Sequence, residues 1–300
     1  MRRFATCAAL VVLAACNAAS AKDQADASAE TSQYGDETLA FPPGAEPPAP
    51  AVYGFDGEFT QGGYVRGYLP LNITSARLGD TPLEIDETGR FFAAFDRDEA
   101  PLVTLYATMR DGEEKTFAFE IAPREWNIQH INAAKGTGGG SEAWWAKREP
   151  EWLAIKGARE KATGATGWQQ DFIWPVKGRI SGLFGRQRVY RGEPANYHSG
   201  IDIAPGNGTP FVAPADGVVV LARTGFSLEG NIIIIDHGAG LNSAFLHASQ
   251  IAVSEGQTVR QGQYIGNIGA TGRVTGPHLH WSLMWREARV DPLLFAGPMD

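Results

Sequence analysis

Histidine and aspartate, grouped in three short motifs, are the side chains of this sequence best suited to chemistry. The 300 residues include six histidines, and four of them fall in these motifs. They are the H-S-G-I-D motif of His198 and Asp202, the F-L-H motif of His247 and the H-L-H motif of His278 and His280. One H-x-H motif alone is weak evidence, but three motifs in one region favour a shared metal site.

The spacing of these residues suits strands that present them on one face. Residues two or four apart on a strand point to the same side, so His198 can approach one point together with Asp202. His278 and His280 also share a face, about 6.6 Å apart along a strand, which suits one ligand and one neighbour. Two histidines and one carboxylate would leave a fourth position open for water, as in catalytic zinc sites.

Cysteine usage and net charge exclude several other classes of function. The two cysteines, Cys7 and Cys16, both lie near the N-terminus, so the folded body has neither a disulfide framework nor a cysteine-ligated metal. The formal net charge is -8. An acidic chain gains nothing from counterion release, and we therefore expect no nucleic-acid partner.

The N-terminal residues predict export and membrane anchoring. Residues 1–15 combine two arginines with a short apolar run, which is typical of a signal peptide. The run ends in Leu-Ala-Ala before Cys16 and resembles the lipobox of bacterial lipoproteins, which predicts lipidation of that cysteine. Cleavage after the Ala-Ser-Ala of residues 19–21 is the competing interpretation. Residues 16–50 are polar and end in a proline-rich stretch, which predicts an extended tether.

Residues 51–125 predict a small β-sandwich of immunoglobulin-like type. Short alternating segments at 64–69, 91–95, 102–106 and 116–121 read as strands, and Gly- and Asp-containing turns separate them. No group of catalytic residues occurs in this region. We expect it to serve as a spacer or docking module, with a cell-wall enzyme as the candidate partner.

Residues 126–170 predict a helical connector. Segment 141–162 carries Trp144, Trp145, Trp152 and Leu153 among charged residues, consistent with one or two helices interrupted at Pro150. Aromatic residues in such a segment more often pack on a neighbouring domain than bind a ligand. Partial cover of an active groove by this connector is the alternative, and with it autoinhibition.

Residues 171–300 predict a mostly antiparallel β domain. Strand-like segments occur at 218–221, 231–236, 242–246 and 264–268, with frequent glycines between them. The unbroken run of four isoleucines at 232–235 predicts a strand buried on both faces.

The stretch 172–294 resembles the lysostaphin-type zinc metallopeptidases, which cleave bacterial peptidoglycan. The motifs that carry the resemblance are G-L-F-G at 182–185, H-S-G-I-D-I at 198–203, A-P-A-D-G at 213–217, D-H-G at 236–238, G-A-T-G at 269–272 and T-G-P-H-L-H at 275–280. The resemblance implies one Zn²⁺ per chain held by His198, Asp202 and His280. It also implies that His247 and His278 are the catalytic histidines. An H-E-x-x-H helix is absent from the sequence, which excludes the thermolysin arrangement.

Three positions depart from the usual pattern of that family. Phe245 stands where a tyrosine is usual, Trp281 where a phenylalanine is usual, and Ser282 where an acid is common. None of these changes removes a ligand, so they bear on substrate preference more than on activity. His237 is expected to end a strand and His130 to lie on the surface.

Together these features predict an exported zinc endopeptidase that hydrolyses peptide bonds in peptidoglycan stems or cross-links. We expect a lipoprotein anchored to a membrane and facing the periplasm of a Gram-negative bacterium. A non-enzymatic regulator that binds peptidoglycan and activates cell-wall amidases is the alternative, because some members of that family have lost their metal ligands. A structural β-sandwich protein with adventitious zinc is the third hypothesis.

Overall fold

Alternating apolar residues fold the first part of the chain into seven short strands. The computed structural model describes residues 53–135 and 141–299. The first strands are β1 (Gly54–Glu58), β2 (Tyr64–Tyr68), β3 (Ile73–Leu78), β4 (Thr81–Pro82), β5 (Arg90–Ala94), β6 (Leu102–Met109) and β7 (Glu114–Glu120). They form two antiparallel sheets, with strand orders β1-β2-β5 and β4-β3-β6-β7.

Aromatic side chains join these two sheets. Phe55 on β1 lies 5.1 Å from Phe119 on β7, ring centre to ring centre, and 6.2 Å from Phe91 on β5. Phe91 and Phe95 are completely buried. Edge-on aromatic contacts of this kind add to the stabilisation that comes from burying the apolar rings.

The segment that follows contributes one strand and one long helix. Strand β8 (Ile128–Ile131) pairs in parallel with a later strand, β10 (Gln187–Tyr190). Helix α1 (Glu142–Arg159) begins at Ser141, whose Oγ accepts a hydrogen bond from the Trp144 amide. Serine at this position satisfies one of the free amide groups of the first turn.

Helix α1 is continuous through Pro150, so the predicted interruption there is wrong. A proline inside a helix costs about 3 kcal/mol, and contacts on both sides of Pro150 offset this cost. Arg148 binds Glu229 with two bonds of 2.7 Å, and Glu151 accepts a 2.9 Å hydrogen bond from the Ser227 amide.

The expectation that the aromatic residues of this segment pack on a neighbouring domain does not hold for two of the three tryptophans of helix α1. Trp145 and Trp152 remain 52% and 50% exposed, and Leu153 remains 53% exposed. The helix packs on the sheet with smaller residues instead, namely Ala154, Ile155 and Ala158.

The C-terminal part is built on one large antiparallel sheet. The strands of the C-terminal part, which include members of two smaller sheets, are, besides β10, β9 (Arg179–Gly182), β11 (Glu193–Pro194), β12 (Ile201–Ala204), β13 (Pro210–Val212), β14 (Gly217–Phe226), β15 (Gly230–Gly238), β16 (Leu241–Leu246), β17 (Gln250–Ile251), β18 (Thr258–Val259), β19 (Tyr264–Asn267), β20 (Leu279–Trp285) and β21 (Ala288–Val290). The central sheet has the order β18-β14-β15-β16-β20-β12-β9, with β21 beside β20. The short helix α2 (Pro292–Ala296) ends the fold.

Strand β15 is buried on both faces, as the run of isoleucines predicts. Ile233 and Ile235 belong to the main core, while Ile232 and Ile234 face the apolar cluster beneath helix α1. The two faces of the sheet are therefore covered by different elements.

The N-terminal sheets pack against the C-terminal part, and both belong to one compact unit. Arg124 forms a 2.7 Å ion pair with the buried Asp291, and the Asp291 amide donates to the Gly62 carbonyl. The ring of Phe295 on α2 lies 4.2 Å from that of Tyr64.

The predicted mainly β fold is confirmed. The immunoglobulin-like arrangement and the boundaries at 51–125, 126–170 and 171–300 stay predictions. The predicted signal peptide, Cys16 and the whole of the predicted tether lie outside the described residues. Among the helices that the structure describes, none combines the length and apolar character needed to cross a membrane.

Replacing Arg148 by methionine should destabilise the protein markedly. The substitution leaves Glu229, whose side chain is only 14% exposed, without its cationic partner. We expect the free energy of unfolding to fall by about 3 kcal/mol. The matched control is Arg223→Met, because Arg223 pairs with Glu255 at an exposed position. That change should cost less than about 1 kcal/mol in urea denaturation, and equal losses in the two variants would contradict the structure.

Stability should also fall as the pH drops from 7 to 5, because of His237. Burial lowers the pKa of this histidine to about 4. The folded pKa lies below the unfolded value near 6.5, so stability is complete above that value and is lost as the pH falls towards 4. This histidine alone should cost about 2 kcal/mol between pH 7 and pH 5. In His237→Asn the loss over that interval should shrink accordingly, and an unchanged pH dependence would overturn the assignment.

Candidate metal centre

The pairing of strands β12 and β20 brings two of the predicted ligands together. Asp202 lies directly opposite His280 in this antiparallel pair, and opposite Gly182 on the other neighbouring strand, β9. His198 lies in the loop before β12, where its amide donates to the Arg186 carbonyl.

Three donor atoms converge at this point. His198 Nε2 lies 3.0 Å from Asp202 Oδ1, and His280 Nδ1 lies 2.9 Å from the same oxygen. The two ring nitrogens are 3.0 Å apart. Among the described residues, these three side chains form the group that could hold a metal ion. Two imidazole nitrogens and one carboxylate oxygen suit zinc.

The protonation states of Asp202 and His280 suit metal binding. Burial alone would raise the pKa of Asp202, but hydrogen bonds with His198 and His280 outweigh it and hold this pKa well below its usual range. Burial lowers the pKa of His280. Burial alone would lower the pKa of His198, but the hydrogen bond with Asp202 outweighs it and raises this pKa. His198 Nδ1 lies 2.9 Å from the Leu183 carbonyl, so Nε2 is the atom that would bind a metal in place of its hydrogen bond with Asp202.

His247 and His278, the predicted catalytic histidines, lie beside this group. Their ring centres are 5.0 Å apart, and His278 Nε2 is 3.6 Å from Asp202 Oδ1. Each ring donates its Nδ1 proton to a backbone carbonyl at 2.9 Å, that of Thr271 for His247 and that of Gly276 for His278. Both rings are therefore held with Nε2 as the free proton acceptor.

The backbone of His247 is in an unusual conformation, with φ at 69°. Such a conformation costs free energy in a residue other than glycine and persists where surrounding contacts fix it. Here the His247 amide donates to the Glu229 carbonyl at 2.9 Å, and Arg148 of helix α1 holds the Glu229 side chain. Burial, with smaller contributions from His280 and His278, lowers the pKa of His247 to about 4, so its ring is neutral at pH 7.

Two glycines make room for the converging side chains. A Cβ on Gly182 would lie 2.3 Å from Asp202 Oδ2, and a Cβ on Gly200 would lie 2.9 Å from His280 Nε2. Sequence reasoning assigned no role to either residue. Their positions in the G-L-F-G and H-S-G-I-D motifs were the available signal, because glycine next to a ligand often marks a close approach.

The remaining histidines lie away from the centre. His237 is completely buried and is held by the Asp216 carbonyl and the Ser243 hydroxyl, both at 2.7 Å. His130 is exposed on β8, as expected. Phe245 and Trp281, two positions that depart from the family pattern, are completely buried in the core and do not face the site.

A groove of about 710 Å³ runs from His280 along the face of the sheet covered by helix α1. Arg148, Trp152 and Arg159 of the helix line one wall, and Ser282 and Met284 of β20 lie on the floor. The connector therefore borders this groove.

Comparison with known protein families assigns the segment that contains this site. The model of peptidase family M23 matches residues 196–292, the segment that contains all five predicted site residues. Residues 196–292 are an M23 peptidase domain.

Relatives with an M23 domain include both enzymes and an activator. The chain is 42% identical over 132 residues to peptidoglycan DD-endopeptidase ShyA of Vibrio cholerae, a match covering 42% of this chain and 30% of that protein. It is 36% identical over 122 residues to murein hydrolase activator NlpD of Escherichia coli, a match covering 41% of this chain and 30% of that protein. The chain thus matches less than a third of the length of these relatives.

One solved structure matches most of the chain. It is described as a peptidase M23 from Pseudomonas aeruginosa, with 27% identity and a TM-score of 0.62. The match covers 80% of this chain and 95% of that one, so it extends beyond the M23 domain into the N-terminal β region.

Replacing Gly182 by alanine should weaken metal binding. The added methyl group would displace the Asp202 carboxylate, and we expect the affinity for added Zn²⁺ to fall by about 10- to 100-fold. Competition with a chelator measures this affinity. The control is Gly157→Ala on helix α1, where the new methyl group meets nothing within 4 Å. Unchanged zinc affinity in Gly182→Ala would contradict the role assigned to Gly182.

Proposed function

We propose that this protein is a zinc metalloendopeptidase that hydrolyses peptide bonds in peptidoglycan stems or cross-links. The observation that carries the proposal is the convergence of His198, Asp202 and His280 within 3.0 Å of one another. Two further histidines next to this group present free Nε2 atoms. The relation to ShyA supports peptidoglycan as the substrate.

In this proposal His198 Nε2, Asp202 Oδ1 and His280 Nδ1 hold one zinc ion. Bound zinc supplies Lewis acidity, which polarises a scissile carbonyl and makes water acidic enough to attack near neutral pH. The two imidazoles and the single carboxylate provide the charge and donor types that this ion prefers.

His247 and His278 handle protons and charge in the reaction. At neutral pH the His247 ring is neutral, and its Nε2 can accept a proton from the attacking water. His278 Nε2 lies on the Asp202 side of the centre. It can accept a proton, and once protonated it can donate that proton to the leaving amine. Once protonated, either ring can donate a hydrogen bond to the oxyanion that develops on the scissile carbonyl.

We further propose export and anchoring through Cys16. The apolar N-terminal run and the Leu-Ala-Ala-Cys sequence support a lipoprotein held on a membrane and facing the periplasm. The proline-rich tether would let the enzyme reach cell-wall material away from the membrane surface.

The alternative function is activation of a cell-wall amidase without hydrolysis. The relation to the activator NlpD favours it. The intact set of three candidate ligands and two candidate catalytic histidines favours the enzyme, because an activator does not need these residues.

Digestion of purified peptidoglycan tests the proposal, with the released fragments identified by mass. His280→Ala should lose its zinc and release no new peptide fragments. His247→Ala should retain zinc and lose at least about 100-fold in rate, because it lacks a proton acceptor. His130→Ala is the control, since His130 is exposed and on another sheet.

Two outcomes separate the alternatives. Full activity of a zinc-free His280→Ala variant would contradict the proposal that the protein is a zinc enzyme. Activity that appears only after a purified amidase is added, with fragments cut at the amidase bond, would establish the activator instead.

A further inference from the structure

The groove beside the metal centre contains arginines of two kinds. Arg148 forms an ion pair with Glu229 at 2.7 Å, and Arg286 forms one with Glu84 at 3.2 Å. Among the described residues, Arg159 and Arg289 form no ion pair with a carboxylate, although both line the same groove. Partly buried arginines are usually paired, so these two require an explanation.

The other carboxylates around the groove do not supply the missing charge. Asp236 accepts hydrogen bonds from the Thr163 amide and hydroxyl and from the Gly238 amide. Asp86 binds the backbone of its own turn and the amide of Gln169. Glu160 and Glu287 are exposed and form no hydrogen bond with either arginine. Asp96 accepts a hydrogen bond from the Arg289 backbone amide at 2.8 Å but forms no ion pair with its guanidinium.

Arg159 has only a neutral partner. It donates to Asn242 Oδ1, and the Asn242 side chain is itself buried, with no acceptor for its Nδ2 group among the described residues. Burial, together with the nearby charge of Arg289, lowers the pKa of Arg159 to about 9. A bound carboxylate would have the opposite effect, because an opposite charge stabilises the protonated guanidinium.

Strand register gives the distance of these arginines from the metal centre. Met284 lies opposite Asn242 on one side and Arg289 on the other, so these residues form one row across the sheet. His280 and Met284 are four residues apart on β20 and face the same side, about 13 Å from each other. That distance equals about four residues of an extended peptide.

We propose that Arg159 and Arg289 form a subsite that binds a free carboxylate of the substrate peptide. The inference rests on the proposed function for the position of the cleaved bond, at the His280 end of the groove. The peptide would lie along β20 with its carboxylate about four residue spacings from that bond. Guanidinium groups bind carboxylates with strong, charge-assisted hydrogen bonds.

The carboxylate could belong to a side chain or to the end of a peptide. Both present the same two oxygens to the arginines, so the test treats them separately. Three soluble cross-linked stem peptides serve as probes: one with free carboxylates, one amidated at its side-chain carboxylate and one amidated at its terminal carboxylate.

The full-length protein should bind and cleave the free peptide best. Amidation of the carboxylate that enters the subsite should raise KM by about 10- to 100-fold with little change in kcat, since a charge-assisted hydrogen bond is lost. Arg159→Gln and Arg289→Gln should show the same loss on the free peptide and no additional loss on that amidated peptide. Arg159→Lys should recover part of the affinity.

Arg286→Gln is the matched control, because its guanidinium lines the same groove but is already paired with Glu84. It should discriminate between free and amidated peptides as the unmodified protein does. The amidated peptides also test the subsite without any substitution, so a variant that fails to fold does not block the experiment.

Calorimetric binding of the same peptides separates this inference from the proposed function. Carboxylate-dependent binding without hydrolysis would support the proposed subsite and contradict the proposed enzymatic function. Hydrolysis with equal KM for all three peptides would support the proposed enzymatic function and contradict the proposed subsite.

Discussion

The antiparallel pairing of β12 with β20 is the constraint on which the site depends. Directly opposite residues in such a pair have their side chains on the same face and close together, so Asp202 and His280 must converge. The neighbouring residues Ile201 and Trp281 face the other side and are completely buried. A slip of one residue would bury the two candidate ligands and expose the core residues. Apolar packing on one face of the sheet therefore holds the register that assembles the polar site on the other.

Backbone groups then orient the side chains that pairing alone leaves free. Carbonyls of Leu183, Thr271 and Gly276 each accept a hydrogen bond from the Nδ1 atom of one histidine, which directs the Nε2 atoms inward. Helix α1 contributes from the opposite wall, because Arg148 fixes Glu229 and the Glu229 carbonyl holds the His247 amide. The helix that borders the groove thus also supports His247 beside the candidate metal centre. Packing of the connector and placement of the site are physically linked.

Much of this arrangement could be predicted from the sequence, but not all of it. Periodicity of apolar residues located the main strands, and the histidine motifs brought five residues to one point. The continuous helix through Pro150 could not be foreseen, since the contacts that offset the proline come from a turn some 80 residues later. The role of Gly182 could not be predicted for the same reason, because the Asp202 carboxylate for which it leaves room lies on another strand. Arg159 and Arg289 lie far apart in sequence and carry no motif. Strand register places Arg289, and the packing of helix α1 with its contact to Asn242 places Arg159, in one groove.

The most direct test of the account is a crystal structure of the protein purified without added metal, with anomalous data collected at the zinc edge. The account predicts one strong peak per chain within coordinating distance of His198 Nε2, Asp202 Oδ1 and His280 Nδ1. His247 and His278 should face this peak without binding it. A peak held by a different set of side chains, or none at these three atoms in protein that cleaves peptidoglycan, would contradict the account.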